Sequence, residues 1–277
     1  RRLRGMMASR RLAAALRPYF ASAKMFALLL LGCLERVDAA AVPGEVCAAV
    51  PAAGQCAATT DALLIIDNSY SVADQHTLIT EFMERFVNSF EFATGSANSP
   101  RVGIVTFSSC VGCTEAESAQ VLFPPSDDPE ALLEAISRRP EPDRTMPMTC
   151  ISCALTLAGS VINDYFYRPD ALPLAFLLTD GEQSVLGGDE AAISASDTLK
   201  AAGVDVVTLR LGNAGNAYSM ESMASLPTDI YARAAETVDE LIEETAQLVD
   251  TFCTHAVYAC RLSEGCREAV EVAIHGS

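Results

Sequence analysis

The chain has 277 residues, of which half are hydrophobic and 20% charged, a size and balance that suit one or two packed domains and exclude general disorder. Asp and Glu outnumber Lys and Arg 36 to 19, for a formal net charge of −17. That is the wrong sign for neutralising phosphates, so no nucleic-acid partner is expected.

Residues 1–39 carry eight of the 19 basic residues and only Glu35 and Asp38 as acids, leaving 11 basic against 34 acidic residues beyond them. The apolar stretch Met25 to Leu34 is too short to span a bilayer but suits the core of a signal peptide. Basic residues from Arg1 to Lys24 precede it, and Ala39-Ala40-Ala41 offers a cleavage site. Residues 1–40 are therefore expected to be the leader of a secreted or cell-surface protein. The alternatives are a retained anchor, a transit peptide, or a lipoprotein box at Leu30-Leu31-Gly32-Cys33 with Cys33 lipidated, which would tie the protein to a membrane. The chain opens on Arg1 with Met6, Met7 and Met25 as later starts, which suggests a fragment or an over-extended reading frame.

Residues 41–60 are Ala-, Pro- and Gly-rich with two cysteines and form a lead-in. From residue 61 the pattern changes to that of one long domain, expected over 61–253. Ala62 to Ile66 is a continuous apolar run ended by Asp67, as for a strand buried on both faces of a parallel sheet. A helix is expected over about 73–92, with Leu78, Phe82, Phe86, Val87 and Phe90 at helical spacing. Further strands follow at 102–107 and 120–123, a helix from Asp128 to Ser137 entered through Ser126, and a helix over 150–166. Pro173 to Thr179 is another apolar strand, ended by Asp180. A polar helix over about 188–201, a strand over 204–211, a short strand over 229–232 and a helix over 235–253 complete the series. Such alternation of strand and helix predicts an α/β fold with a doubly wound, mainly parallel sheet flanked by helices, whose sites lie at the carboxyl ends of the strands.

The unusual residues fall at those ends. The first strand runs into Asp67-Asn68-Ser69-Tyr70-Ser71, the later one into Thr179-Asp180-Gly181, and Thr149 stands directly before a helix containing Ala154-Leu155. Asp67, Ser69, Ser71, Thr149 and Asp180 make an all-oxygen set of low negative charge, the donors that hard divalent ions prefer. Each residue alone reads most simply as a cap or turn residue. Their joint occurrence does not.

Asp-x-Ser-x-Ser after an apolar strand, a Thr before Ala-Leu, and an apolar strand ending in Thr-Asp-Gly resemble the von Willebrand factor type A domain and its metal-ion-dependent adhesion site, over about residues 60–253. The resemblance implies that Ser69 and Ser71 ligate the metal directly and Asp67 through water, while Thr149 and Asp180 exchange between the two modes. It also implies a divalent cation, foremost Mg²⁺ with Mn²⁺ or Ca²⁺ as alternatives, and a protein ligand whose carboxylate completes the metal's shell. An adhesion module rather than an enzyme is expected. Tyr70 departs from the family's frequent Gly, Val72 from Met, and Cys150-Ile151 from a second Thr. Tyr70 is expected to narrow access to the metal or to touch a ligand.

Ten cysteines are many for a cytosolic chain of this length and favour an oxidising compartment. Without Cys33 nine remain, an odd number, so one is free, pairs between chains or pairs beyond Ser277. Cys110/Cys113 and Cys150/Cys153 form two Cys-x-x-Cys pairs, expected to be disulfides beside the metal loops that add roughly 2–4 kcal/mol. A secretory-pathway zinc or redox protein is the rival reading. Cys56 and Cys253, or Cys47 or Cys56 with Cys260, are candidates for a disulfide joining the flanks. Cys260 and Cys266 fall in a Cys-rich tail, 254–277, or in the start of a further module. His76, His255 and His275 have no evident catalytic partner and are expected at the surface. No phosphate-binding Gly-rich loop is present.

Overall fold

A computed structural model describes residues 59–165, 168, 171–180, 182–185, 187–212 and 216–242. The leader, the lead-in with Cys47 and Cys56, Cys33, and the segment bearing Cys253, His255, Cys260, Cys266 and His275 lie outside the described residues.

Among the described residues six strands form one sheet: β1 (Thr60–Asp67), β2 (Arg101–Phe107), β3 (Ala119–Ser126), β4 (Leu172–Thr179), β5 (Asp205–Leu211) and β6 (Ala232–Ala235), in the order β3-β2-β1-β4-β5-β6. All neighbours run parallel except β3, which is antiparallel to β2. The sheet is thus the mainly parallel, doubly wound one expected. Every residue of β1 is buried, because successive side chains point to opposite faces and helices cover both.

Alternation divides the interior in two. Leu64 and Ile66 join Phe82, Phe86 and Phe176 on one face, where the rings of Phe86 and Phe176 meet edge-on at 4.8 Å between centroids. Leu63 and Ile65 join Ile151, Leu155 and Val161 on the other. The first face is covered by α1 (His76–Asn88) and α3 (Pro129–Ser137), and the second by α4 (Ile151–Tyr165), α5 (Gly188–Ala201) and α6 (Ala217–Met223); a four-residue turn of helix, α2 (Glu115–Ser118), precedes β3.

The differences from expectation have local causes. The first helix opens with a 3-10 segment, Tyr70–Gln75, and ends at Asn88 rather than near 92. The cap of α3 is Asp128, whose side chain accepts from the backbone N–H of Glu130 and Ala131, and not Ser126, which belongs to β3. That strand is longer than expected because Pro124 and Pro125 are tolerated on an edge, at the cost of two register shifts against β2. Pro125 also packs where a side chain on Gly103 would stand, 3.0 Å from that position, so the glycine is required by close approach. Residues 228–231 are a helical turn, α7 (Thr228–Tyr231), and the strand follows it. The helix α6 and the turn α2 are not expected from the sequence. The last expected helix is seen over 238–242.

At the amino end of β1, Asp61 is wholly buried. It accepts Arg101 Nε and Nη2, each at 3.0 Å, and Arg168 Nε at 3.2 Å, and pairs closely with Arg168 Nη2. Arg168 also donates to the carbonyls of Thr60, Ala97 and Ser99. Three separate stretches of chain meet in this cluster.

Candidate metal centre

Strand order reverses at β1, whose neighbours β2 and β4 lie to either side, so the crevice at its carboxyl end is the topological switch point. Register brings the ends of β1 and β4 level, with Ile66 opposite Leu178. In consequence Thr179 Oγ1 donates to Asp67 Oδ2 at 2.6 Å across the two strands. The other carboxylate oxygen, Oδ1, accepts the backbone N–H of Ser69 at 2.8 Å, which folds the loop tightly after the strand.

From there the oxygens form a ladder toward solvent. Ser69 Oγ and Ser71 Oγ are 3.0 Å apart, and Ser71 Oγ donates to Asp180 Oδ1 at 2.9 Å. Asp67 and Ser69 are buried, Asp180 is half-buried and Ser71 is exposed. Burial pushes the Asp67 carboxyl up to about 6 against the pull of its hydrogen bonds, and the Asp180 charge adds a smaller push. Burial also raises Asp180, opposed by its bond from Ser71. Two carboxylates held so unfavourably are what a cation would relieve.

Thr149 is buried in the loop before α4. Its backbone N–H donates to Ser184 Oγ at 2.7 Å, and its carbonyl accepts the N–H of Ser184 at 3.0 Å. Ser184 stands in the segment after Asp180, so the Thr149 loop and the Asp180 loop are laced together. Gln183 continues the lacing: its Oε1 accepts from Ser152 N at 3.0 Å and its Nε2 donates to Ser152 Oγ at 2.5 Å. The structure thus draws Asp67, Ser69, Ser71 and Asp180 into one hydrogen-bonded set and brings the Thr149 loop against the segment that follows Asp180. Among the described residues no group of three or more His, Cys, Asp or Glu forms a softer or more acidic alternative site. Oxygen donors with only two carboxylates fit a hard divalent ion.

Both Cys-x-x-Cys pairs are disulfides, Cys110–Cys113 and Cys150–Cys153. Their sulfurs are therefore not zinc thiolates, and the zinc reading gains nothing here. Each bond closes within its own motif. What joins the two loops is an isolated bridge in which Met148 N donates to Ser109 O at 3.0 Å. The first motif is a tight turn, Cys113 N to Cys110 O at 3.2 Å, with Gly112 at φ +85°, a conformation that favours glycine. The second holds Cys150, the residue after Thr149, against the start of α4. Replacing Cys150 and Cys153 together by Ser should lower stability by about 2 kcal/mol, the value for a four-residue loop and the low end of the sequence expectation. Denaturant midpoints of the oxidised protein and the double variant check this, and equal midpoints would count against it.

Sequence reasoning missed Arg139. It is buried, donating from Nη1 to Asn68 Oδ1 at 2.8 Å and from Nη2 to the His76 carbonyl at 3.0 Å. It therefore clamps the residue between Asp67 and Ser69 to the start of α1, and burial lowers it to about 10. A basic residue 71 positions away carries no sequence signal for such a role. His76, expected at the surface, is half-buried, and its buried Nδ1 has no hydrogen-bond partner among the described residues.

The family model for the von Willebrand factor type A domain matches residues 61–247. No curated protein matches. Among solved structures, proximal thread matrix protein 1 from the mussel byssus is similar at 20% identity and a TM-score of 0.59, over 72% of this chain and 49% of that one. A form of the same protein described as having a zinc-occupied MIDAS motif matches at 21% identity and a TM-score of 0.58, over 72% and 47%. Manganese-loaded TRAP protein of Plasmodium vivax matches at 17% identity and a TM-score of 0.54, over 70% and 74%. The chain thus spans about half the length of the mussel protein. At these identities the likeness shows the fold. Among the described residues no helix is long and apolar enough to cross a membrane.

Proposed function

Since the chain belongs to the von Willebrand factor type A domain family, we propose that it is an extracellular recognition module, not an enzyme, that holds a divalent cation on Asp67, Ser69, Ser71, Thr149 and Asp180 and through it a carboxylate of a protein ligand. The observation that carries this is the ladder of hydrogen-bonded oxygens at the switch point, which ends in a half-buried and an exposed group while its innermost carboxylate is desolvated. A bound cation would supply an electrophilic open position for an incoming carboxylate, because hydroxyl ligands do not neutralise its charge.

The chain's own residues do the rest. Thr179 and the Ser69 N–H orient the Asp67 carboxylate, Arg139 holds the loop through Asn68, and Ser184 holds the backbone of Thr149. Mg²⁺ is proposed as the natural ion. The zinc and manganese of the solved relatives belong to those proteins, and they support a divalent site without choosing the ion. Secretion is proposed from the leader and from the two disulfides.

The test is metal-dependent stability. Mg²⁺ or Mn²⁺ at about a hundredfold its dissociation constant should stabilise the protein by about 2.7 kcal/mol over chelator. Asp180→Ala and Ser71→Ala should each leave a folded protein in which that gain is lost or strongly reduced. Identical melting in Mg²⁺, Mn²⁺ and chelator would sink the proposal.

A further inference from the structure

One side of the metal loop carries a feature that cation binding does not use. Tyr70 stands between Ser69 and Ser71 and is 37% exposed. The guanidinium carbon of Arg144 lies 5.2 Å from its ring centroid, within the range of a cation–π contact. Arg144 is itself exposed. Among the described residues the ion pairs take Arg85, Arg101, Arg138, Arg168 and Lys200, and Arg139 is buried. Arg144 is thus an exposed cation beside the site that no described carboxylate neutralises, in a chain of net charge −17.

Its position is built rather than loose. Asp143 Oδ1 accepts the N–H of Thr145 at 2.8 Å and the Asp143 carbonyl accepts the N–H of Met146 at 2.9 Å, so residue 144 lies at the bend of a closed turn. Two residues beyond Met146, the bridge between Met148 and Ser109 anchors the loop. The contact with the Tyr70 ring restrains the side chain before any ligand arrives, which lowers the entropy lost on binding. A guanidinium attracted to the ring through its charge still carries five N–H donors, and their fork matches a carboxylate.

We propose that Tyr70 and Arg144 form an anion shelf beside the metal loop, which takes a second carboxylate of the same ligand. Resting on the metal reading above, this makes the preferred partner an acidic peptide segment with two nearby carboxylates, one for the cation and one for Arg144. A ligand with a single carboxylate would meet the protein's repulsive net charge without that offset.

The experiment uses the full chain in saturating Mg²⁺ and two fluorescent capped peptides, one with a single Asp in a Gly-Ser background, the other with Asp and Glu two residues apart. Melting with and without Mg²⁺ establishes metal loading for wild type, Arg144→Ala, Arg144→Lys and Tyr70→Leu. The two-acid peptide should bind wild type about five- to tenfold more tightly than the one-acid peptide. That advantage should vanish in Arg144→Ala, survive in part in Arg144→Lys and shrink in Tyr70→Leu, while the metal shift and one-acid affinity stay unchanged in the two Arg144 variants. A metal shift in wild type with no preference for the two-acid peptide overturns the shelf alone, and a metal shift with no binding of either peptide overturns the shelf together with carboxylate capture, leaving only the metal site. A preference that persists in Arg144→Ala also overturns the shelf. Absence of the metal shift in wild type overturns the metal reading and the shelf with it.

Discussion

Asp61→Ala should destabilise the domain by about 3–5 kcal/mol, the usual cost of removing one member of a buried ion pair. The carboxylate is wholly buried and accepts two guanidinium groups, each through two nitrogens. Without it the Arg101 and Arg168 guanidinium groups lose the carboxylate that both donate to, and the bonds from Arg168 to the carbonyls of Ala97 and Ser99 lose their fixed origin. Asp61→Asn, which keeps the acceptor but not the charge, should fall between. Guanidinium chloride midpoints at unchanged slope give the comparison, and a loss below about 1 kcal/mol would show the cluster to be solvated like a surface pair. The metal-induced shift should persist, because six residues of β1 place Asp61 roughly 20 Å from Asp67 at about 3.3 Å per residue.

The second large effect is a response to acid. Asp67 is raised from 3.8 to about 6 in the folded protein, so between those values the native state holds more protons than the unfolded chain. For such a group stability falls as pH rises. In chelator, the Asp67 penalty is therefore fully present above about pH 6 and relieved below about pH 4, a change of about 3 kcal/mol, since each pH unit separating the folded and unfolded values is worth about 1.36 kcal/mol. Asp67→Asn removes it, so the variant should be more stable than wild type near pH 7.5 and lose the advantage near pH 4. Relief of the general negative charge is common to both proteins and cancels in the difference. Saturating Mn²⁺ should reverse the wild-type trend, because the cation competes with the proton. Parallel stability curves for wild type and Asp67→Asn in chelator would refute the assignment.

What is legible in the sequence follows from how each feature is encoded. Strands β1 and β4 are continuous apolar runs ending in Asp67 and in Thr179 before Asp180, so their burial and the site at their ends can be read directly. The antiparallel β3 reads short because Pro124 and Pro125 look like breakers, and only its place on the sheet's edge makes them acceptable. Ser126 and Asp128 are both good caps, and the choice between them rests on where β3 ends. The helix α6 escapes notice: three of its seven residues are buried, too few to make a periodic signal. Arg101, Arg139, Arg144 and Arg168 carry no local pattern at all. Their partners Asp61, Asn68 and Tyr70 lie 40 to 107 positions away or across a loop, and only the folded chain brings them together.

The central strand also sets a line of mechanical load. Chain enters β1 at Thr60 and leaves it at Asp67, at opposite ends of a strand hydrogen-bonded along its length to β2 on one side and β4 on the other. A pull between the segment before Thr60 and a ligand held at the Asp67 loop runs along that strand. The load is then carried by the covalent backbone of a strand that is already extended, while β2 and β4 on either side hold it in place. The loop proposed to receive a ligand is in this way continuous with a strand paired along its length on both sides.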